Sequence, residues 1–336
     1  MESVRIVDIA ARLGVSVSTV SKSLNDASEI SVATKDRVKV AAAEMGYRPN
    51  GAARRLRSGR TRAIGLLTHD SVGRFGLPVL LGAEDAAGAE RVSALLCDAR
   101  NDPIRLQHHV RTLLEHGIDG IIALASDTND QPSLGDLGVP VVYAYGASRN
   151  PDDYSVFPDE IAGARMAIEH LLSLGRTKIA HITGPESFAS TRRRVTAMQS
   201  TLAKVGLTIA EPGPLIGDWT EAWGRSATEL LLARHPEFDA IFCGSDLIAR
   251  GVCDVLRDRG VSVPDDVSVV GFDNWEPMAS GGRTPLTTID MMLDNVGRTA
   301  AAALFDAIDG RPRSGLEPLP CRLVVGESTA PIRKHE

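Results

Sequence analysis

Residues 6–25 read IVDIAARLGVSVSTVSKSLN, and this stretch decides the first domain of the chain. Apolar residues recur at helical spacing on both sides of Gly14. They are Ile6, Ile9, Ala10 and Leu13 before it, and Val15, Val20 and Leu24 after it. Each segment is shorter than the ~12 residues that an isolated helix needs in water. Two such helices joined by a glycine turn form a helix-turn-helix, whose second helix enters the DNA major groove.

The second predicted helix carries the residues that would contact bases. Ser16 stands directly before it and is predicted to cap it, because a serine hydroxyl accepts from the backbone three residues on. The first turn then presents Val17 and Ser18, and Lys22 follows one turn later. In this motif a lysine can donate to guanine and a valine can contact a thymine methyl group. A small helical bundle with solvated polar residues is the alternative.

A third helix and a basic segment complete the head. Ser31 begins a helix predicted at residues 32–45, which Gly46 and Pro49 end. The following run 50–57, NGAARRLR, is too short to hold a helix by itself. It is either a basic linker or a hinge that folds on DNA, with its arginines facing phosphate and Leu56 acting as an apolar wedge in the minor groove.

Length, composition and charge set the broad class. A chain of 336 residues exceeds what one hydrophobic core usually fills, so two or three domains are expected. The hydrophobic fraction of 43% and the charged fraction of 24% are ordinary for a globular protein. The net charge of −6 hides a division, since residues 1–62 carry +6 and the remainder −12. A basic head on an acidic body is the distribution expected when only the head contacts phosphate.

The cysteines and the N-terminal residues bear on the cellular location of the protein and on metal binding. Cys97, Cys243, Cys253 and Cys321 lack metal-ligand spacing and are predicted to be free thiols. The start, MESVRIVDIA, lacks the pattern of a secretory signal, and no run approaches the ~20 apolar residues that span a bilayer. We therefore expect a cytoplasmic protein without a metal, a cofactor or a membrane partner.

The body after Arg62 alternates predicted strands and helices. The first series has strands at 63–68, 92–97, 120–124 and 139–145, and helices at 78–89 and 104–116. The second series has strands at 179–183, 215–216, 240–243, 267–271 and 286–289, and helices at 160–174, 190–205, 221–234, 246–259 and 293–308. Alternation of this kind predicts two α/β lobes with parallel sheets. A ligand cleft is expected at the carboxyl ends of their strands.

Four residues of the body have the chemistry to bind a polar small molecule there. Arg194 offers a planar, bidentate donor at the start of a helix. Asp246 and Asp273 each follow closely on a strand and can accept from hydroxyl groups, and Trp219 offers a stacking face. Two alternatives stay open at this stage: Asp246 could simply cap the helix that follows it, and Trp219 could belong to the core.

The runs 7–25, VDIAARLGVSVSTVSKSLN, and 31–67, from SVATKDRV to RAIGLL, resemble the lactose-repressor and galactose-repressor family of bacterial regulators. Core segments such as HLLSLGRTKIAHITGP and VPDDVSVVGFDN are similar to that family too. The resemblance implies a helix-turn-helix head at 1–48, a hinge helix at 49–60 and a core at 61–336 similar to periplasmic sugar-binding proteins. Since the chain of such a core passes between its lobes three times, the first lobe would take about 61–158 and 291–320, and the second about 159–290 and 321–330.

The resemblance also implies individual site residues. In the family, the residues matching Val17, Ser18 and Lys22 contact bases, and those matching Ala53 and Leu56 enter the minor groove. The candidate DNA-binding residues are Ser16, Val17, Ser18, Thr19, Ser21, Lys22, Asn25, Asn50, Ala53 and Leu56. The candidate effector-binding residues are His69, Asp70, Phe75, Tyr145, Arg194, Trp219, Ser245, Asp246 and Asp273.

Three departures from the family pattern qualify these assignments. Arg5 stands where the family usually has a threonine or serine that caps the first helix. Tyr145 and Ser245 stand where it often has aspartate and asparagine, which implies an effector unlike that of the lactose repressor. Sugars are the commonest ligands of the family.

These features predict a ligand-responsive, sequence-specific transcriptional repressor that binds a palindromic operator as a homodimer. A nucleobase co-repressor is the alternative to a sugar effector. A solute-binding protein without DNA is disfavoured by the basic head, and a DNA-bending nucleoid protein would not need a two-lobed core. An enzyme is disfavoured because the sequence lacks a G-x-G-x-x-G turn after the first strand, a nucleophile elbow and a P-loop.

Overall fold

Three helices form the core of the first part of the chain. The computed structural model describes residues 4–47, 60–69, 73–234 and 237–332, and it divides into two units, Met1–Thr61 and Arg62–Glu336. Within residues 4–47, the helices of the first unit are α1 (Ile6–Leu13), α2 (Val17–Leu24) and α3 (Val32–Glu44). Their buried apolar residues are Ile9, Ala10, Val20, Val38, Ala41 and Ala42. The predicted three-helix head is confirmed.

Local capping explains where the two short helices begin and end. Gly14 ends α1 with φ +65°, a conformation that L-residues with side chains disfavour. Ser16 caps α2, because its Oγ accepts from the backbone N of Thr19 at 3.0 Å. Arg5 has no hydroxyl group to cap α1. Its backbone N instead donates to Asp8 Oδ2 in the first turn of the helix, at 2.7 Å.

The second unit alternates strands and helices from Ala63 onward. In chain order they are β1 (Ala63–Thr68), α4 (Gly76–Ala89), β2 (Ser93–Asp98), α5 (Pro103–Glu115), β3 (Gly120–Leu124), β4 (Val141–Ala144), β5 (Tyr154–Pro158), α6 (Glu160–Ser173), β6 (Ile179–Thr183), α7 (Ala189–Ala203), β7 (Leu215–Ile216), α8 (Glu221–Ala233), β8 (Ala240–Cys243), α9 (Asp246–Asp258), β9 (Ser268–Val270), α10 (Glu276–Ala279), β10 (Thr288–Asp290), α11 (Leu293–Ile308), β11 (Gly315–Leu319) and β12 (Arg322–Val324).

Two parallel sheets define two lobes. The first lobe holds six strands in the order β11-β5-β4-β3-β1-β2, and the second holds four in the order β7-β6-β8-β9. All neighbours within these sheets are parallel, so the carboxyl ends of the strands in each sheet lie at one edge. This arrangement confirms the predicted α/β fold class of two doubly wound lobes.

The end of the chain crosses between the lobes. Strand β10 continues the second sheet through a bridge from Val270 to Thr287, but α11 packs against α4 and the first sheet. Strand β11 then pairs with β5, and β12 returns to pair antiparallel with β10. Each lobe is therefore built from separated stretches of sequence.

Two strands of the first lobe were not predicted. Strand β5, with sequence YSVFP, contains a serine and ends in proline, and β11, with sequence GLEPL, contains a charge and a proline. Strand β11 lies at the edge of the sheet, where proline is tolerated because one side needs no backbone donor. The predicted hinge at 49–60 lies, apart from Arg60, outside the described residues.

Candidate functional site

The outer face of α2 exposes the residues predicted to read DNA. Val17 is 48% exposed, and Ser18, Lys22 and Asn25 are exposed as well, whereas Val20 is buried in the bundle. Ser16 is exposed but serves the N-cap, and Thr19 and Ser21 are partly exposed. The predicted hinge residues Asn50, Ala53 and Leu56 lie outside the described residues.

Lys22 is held by an acidic neighbour. Its ammonium group donates to the carboxylate of Glu29, which follows α2 in the chain. The hydrogen bond and the charge of Lys22 lower the pKa of Glu29. Both side chains are about half exposed or more, so the pair contributes little stability, and little free energy is needed to separate Lys22 from Glu29.

A cleft lies between the two lobes of the second unit. Residues from both sheets line it, mostly just beyond the carboxyl ends of strands, where open α/β sheets bind ligands. They are Arg74, Phe75, Ser126, Asp127, Thr128, Tyr145, Glu160, Phe188, Ser190, Arg194, Trp219, Ser245 and Asp273. Six of the nine predicted effector residues are in this set.

The charged centre of the cleft is Asp273, which lies between two guanidinium groups. Arg74 Nη2 lies 3.1 Å from Asp273 Oδ2, and Arg194 Nη1 lies 3.9 Å from Oδ1. The Asp273 side chain is only 2% exposed. Burial raises the pKa of Asp273 to about 6, and the charges of Arg74 and Arg194 oppose that rise. The carboxylate therefore depends on these two arginines for its charge.

Arg194 is fixed by several groups at the base of the cleft. Its Nη2 donates to Glu160 Oε1 at 2.6 Å, and its Nη1 donates to the carbonyl oxygen of Gly244. The guanidinium carbon lies 3.7 Å from the ring centroid of Phe272, a cation–π distance. The Nε atom is buried without a hydrogen-bond partner among the described residues. Arg194 thus lines the cleft with one of its donors unused by the described residues.

Aromatic rings form two walls of the cleft. Trp219 packs edge to face with Phe188 at 5.9 Å, and Phe75 stacks on Tyr145 at 5.7 Å. Gly184 allows Trp219 its position, because a Cβ atom there would collide with the indole ring. Flat apolar faces beside fixed donors and acceptors suit a ring that is polar at its edge and apolar on its faces.

The structure corrects the expectation that Asp246 contacts the effector. Asp246 is completely buried and does not line the cleft. Its Oδ1 accepts from Thr288 Oγ1 at 2.6 Å, and its Oδ2 accepts from the backbone N of Trp275 at 2.8 Å. Burial and the neighbouring charge of Asp273 raise the pKa of Asp246 to about 7. Asp246 therefore holds the loop after β9 in place from below.

The loop after β1 contributes different residues from those predicted. His69 is half-buried and is not among the residues lining the cleft, and Asp70 lies outside the described residues. Phe75 lines the cleft as predicted, and its neighbour Arg74, which was not predicted, reaches Asp273. Phe75 was selected because family members use the loop after the first strand as a wall of the effector cleft, and Arg74 stands in the same loop, so the sequence contained a usable indication.

Glu160 and the segment 126–128 were also missed. Glu160 opens α6 directly after the unpredicted strand β5, and its carboxylate is completely buried against Arg194. Residues 126–128 follow β3, whose carboxyl end was placed correctly by the sequence. Within the described parts of the chain, no group of His, Cys, Asp or Glu could hold a metal ion, and no helix is long and apolar enough to cross a membrane.

Comparison with known proteins agrees with both units. The family model described as "Bacterial regulatory proteins, lacI family" matches residues 5–50, and that of the "Periplasmic binding protein-like domain" matches residues 168–329. The ribose operon repressor of Escherichia coli (strain K12) is 32% identical over 305 residues, which cover 90% of this chain and 92% of that protein. The chain belongs to the LacI family. It is a DNA-binding transcriptional repressor with a ligand-binding domain, and not an enzyme.

Further relatives and solved structures of the LacI family span almost the whole chain. The regulator CelR of Thermobifida fusca is 31% identical over 326 residues, covering 94% of each protein. A solved lac repressor dimer, bound to operator and the anti-inducer ONPF, matches with a TM-score of 0.78 and 27% identity over 98% of this chain and 100% of that one. A CelR–cellobiose complex matches with a TM-score of 0.68 and 30% identity, covering 97% and 99%.

Proposed function

We propose that this LacI-family repressor binds a palindromic operator as a homodimer, and that a sugar in the interlobe cleft controls its operator affinity. The observation that carries the proposal is the outward face of α2, where Val17, Ser18 and Lys22 are exposed on a helix-turn-helix. Residues 1–48 would read DNA, 49–60 would form the hinge, and 61–336 would bind the effector and the second copy. A protein that acts on chromosomal DNA works in the cytoplasm.

Each exposed residue of the head has a distinct proposed contact. Val17 would contact a thymine methyl group, and Lys22 would leave Glu29 to donate to guanine. Shorter polar residues would position the head on the phosphate backbone, which fixes register without reading sequence. They are Ser16, Thr19, Ser21 and Asn25. Ser18 would instead contact a base edge, together with Val17 and Lys22. In the hinge, Asn50, Ala53 and Leu56 would contact the minor groove.

Lys22→Ala is expected to weaken operator binding and to relax preference at one base position by about 1–3 kcal/mol, because a lysine that donates to guanine is lost. Operator titrations against single-base variants at one fixed salt concentration measure this. Lys39→Ala is the matched control, since it removes the same charge from α3, where Lys39 pairs with Asp26. An unchanged base preference in Lys22→Ala would remove Lys22 from the set of base-contacting residues.

An exposed apolar patch in the first lobe supports the homodimer. Leu77 and Leu81 project from one face of α4 and are 51% and 55% exposed. Leu95 and Leu96 lie on β2, the edge strand against which α4 packs, and are also exposed. Several large apolar side chains exposed on an edge strand and on the helix packed against it are typical of an interaction site. Because two heads are needed for a palindrome, the proposed occupant is a second copy of the chain.

Leu81→Glu is expected to separate the dimer and to lower operator affinity by about 10²-fold or more, because the second head is no longer tethered to the first. Sedimentation equilibrium and operator titration measure the two effects. Ile104→Glu is the control, since Ile104 is 79% exposed on α5, outside this patch. A variant that stays dimeric at micromolar concentration would exclude the patch as the interface.

A sugar is favoured as the effector by the centre of the cleft. A hydroxyl group both donates and accepts, and Asp273 offers an acceptor directly between donors of Arg74 and Arg194. Tyr145 and Ser245 would add hydroxyl contacts, and the rings of Phe75 and Trp219 would cover the sugar faces. Two relatives are named for sugars, the ribose operon repressor and the CelR–cellobiose complex. A nucleobase stacked between the rings is the alternative.

The proposed switch couples the cleft to the hinge. Binding in the cleft would favour one relative arrangement of the lobes, and the paired hinges of a dimer would fold on DNA in one arrangement and not in the other. A thermal-shift screen with D-ribose, cellobiose, D-galactose and adenine, followed by operator titration with each hit at fixed salt, tests this. Binding of adenine alone would favour the nucleobase alternative. A hinge that is equally helical with and without operator, by circular dichroism and protease protection, would contradict the coupling.

A further inference from the structure

Arg74 joins the two lobes across the cleft. It belongs to the loop before α4 in the first lobe, whereas Asp273 follows β9 in the second lobe, and the two are 3.1 Å apart. The Arg74 guanidinium also lies over the rings of Phe75, at 4.5 Å, and Trp275, at 5.1 Å. These two rings and Asp273 leave the side chain 15% exposed. Arg74 is therefore held in the cleft rather than extended into solvent.

Three buried polar atoms around Asp273 have no hydrogen-bond partner within the described ranges. They are Arg74 Nη1, Arg194 Nε and Asp273 Oδ2. Different nitrogens of the same arginines, Arg74 Nη2 and Arg194 Nη1, form the ion pairs with the two oxygens of Asp273, so the carboxylate lies between two guanidinium groups that each keep one further N–H without a partner among the described residues. The Arg194 and Asp273 side chains are at least nine-tenths buried, and all three residues line the cleft, so a ligand there lies beside these groups.

The chemical complement of this arrangement is a pair of neighbouring hydroxyl groups. One hydroxyl would accept from Arg74 and donate to Asp273 Oδ2, and the next would accept from Arg194 and donate to Oδ1. An anionic ligand is disfavoured, because three carboxylates line the cleft, those of Asp127, Glu160 and Asp273, and they balance Arg74, Arg194 and the neighbouring Arg193, which also contacts Glu160. The described residues of the cleft therefore carry no excess positive charge. A carboxylate placed beside Asp273 would meet a like charge in a buried site.

We propose that Arg74 is a specificity-determining residue, which with Arg194 brackets Asp273 and selects a neutral sugar that presents a vicinal diol to this carboxylate. This inference rests on the proposed function, since it takes the cleft to be the effector site. Because Arg74 comes from the first lobe and Asp273 from the second, the diol is contacted from both lobes. The same contact that selects the sugar then favours the arrangement in which the lobes are close.

The test uses the full-length protein and three variants. Arg74→Met removes the fork but keeps the length of the side chain, and Arg74→Lys keeps the charge without the bidentate geometry. Arg165→Met is the control, because Arg165 is exposed on α6 and pairs only weakly with Glu169, at 3.9 Å. The probes are D-ribose, D-glucose and D-galactose, the monodeoxy analogues of each, and D-glucuronate, with affinity measured by calorimetry and folding by circular dichroism.

We expect at least one neutral sugar to bind the wild type and two adjacent deoxy positions to lower its affinity about tenfold or more, as loss of a charge-assisted hydrogen bond does. In Arg74→Met the sugar should bind at least tenfold more weakly, and deoxygenation at one of those positions should have little further effect. Arg74→Lys should fall between, and Arg165→Met should match the wild type.

Three results would overturn the assignment. In the first, the wild type binds none of the neutral sugars. In the second, Arg74→Met binds both the intact and the deoxy sugars with the affinity that the wild type has for the intact sugar. In the third, D-glucuronate binds more tightly than the neutral sugars, and this preference depends on Arg74. Failure of the proposed function is separate, since it would appear as no operator binding by the wild type or as operator affinity unaffected by a sugar that binds.

Discussion

Arg194→Ala is expected to abolish the response to effector and to lower the free energy of unfolding by about 3–5 kcal/mol, because it leaves a buried charge without its closest partner. The Glu160 carboxylate is completely buried and receives Arg194 Nη2 at 2.6 Å. Arg193 remains beside it at 3.3 Å but is more exposed. Denaturant unfolding measures the stability, and operator titration with and without a sugar identified as effector measures the response.

Two companion variants separate the effects of Arg194→Ala. Adding Glu160→Gln removes the buried charge, so the double variant should recover part of the lost stability while staying unresponsive to effector. Arg192→Ala is the matched control on the same helix, because Arg192 is exposed and donates to the Glu186 carbonyl oxygen. Operator binding is measured below the melting temperature of Arg194→Ala, where the variant is folded. If the folded variant no longer binds operator, DNA binding and effector binding are not carried out by separate parts of the chain.

Arg176→Met is expected to lower the free energy of unfolding by about 3 kcal/mol or more, with operator specificity unchanged. The Arg176 side chain is almost completely buried in the second lobe, and within the described part of the chain it donates to five backbone carbonyl oxygens. Those carbonyls belong to Asp239, Pro264, Asp265, Asp266 and Ala330. Each buried acceptor that loses its donor costs about 1–3 kcal/mol.

Urea unfolding measures the effect of Arg176→Met, and two controls frame it. Arg176→Lys should be intermediate, because one ammonium group cannot reach the same set of carbonyls as a planar fork. Arg165→Met should change stability by no more than about 0.5 kcal/mol, as for most surface substitutions. A loss below about 1 kcal/mol in Arg176→Met would show that solvent reaches these carbonyls and that the arginine is not needed to join the segments.

The head was predictable because its determinants are local. Gly14, Ser16 and Ser31 act on backbone atoms within five residues, and the structure begins and ends the helices where these residues predict. The same holds for the longer helices of the body, where α11 has the predicted bounds. Strands β5 and β11 were missed, because their short, mixed sequences become strands only through the neighbours that pair with them.

The cleft was predictable only in part. That ligands bind at the carboxyl ends of parallel strands predicts the edge of the sheet that forms the cleft, but not the direction in which each side chain points. Asp246 and Asp273 both follow strands, and by that rule they are equivalent candidates. In the structure Asp273 faces the cleft between two arginines, whereas Asp246 accepts from Thr288 and from the backbone of Trp275 beneath it. Arg74 was missed, although it stands beside Phe75 in the sequence.

By itself the sequence determined the family, the helix-turn-helix head and the alternation that builds two α/β lobes, because capping residues and apolar periodicity act over a few residues. The tertiary structure alone decided which side chains share the cleft. Arg74, Glu160, Arg194 and Asp273 come from separate parts of the chain and from both lobes, and they meet only after each sheet is formed. Burial raises the pKa of Asp273, and the fold places a guanidinium group from each lobe beside this one carboxylate, effects that no local pattern in the sequence encodes.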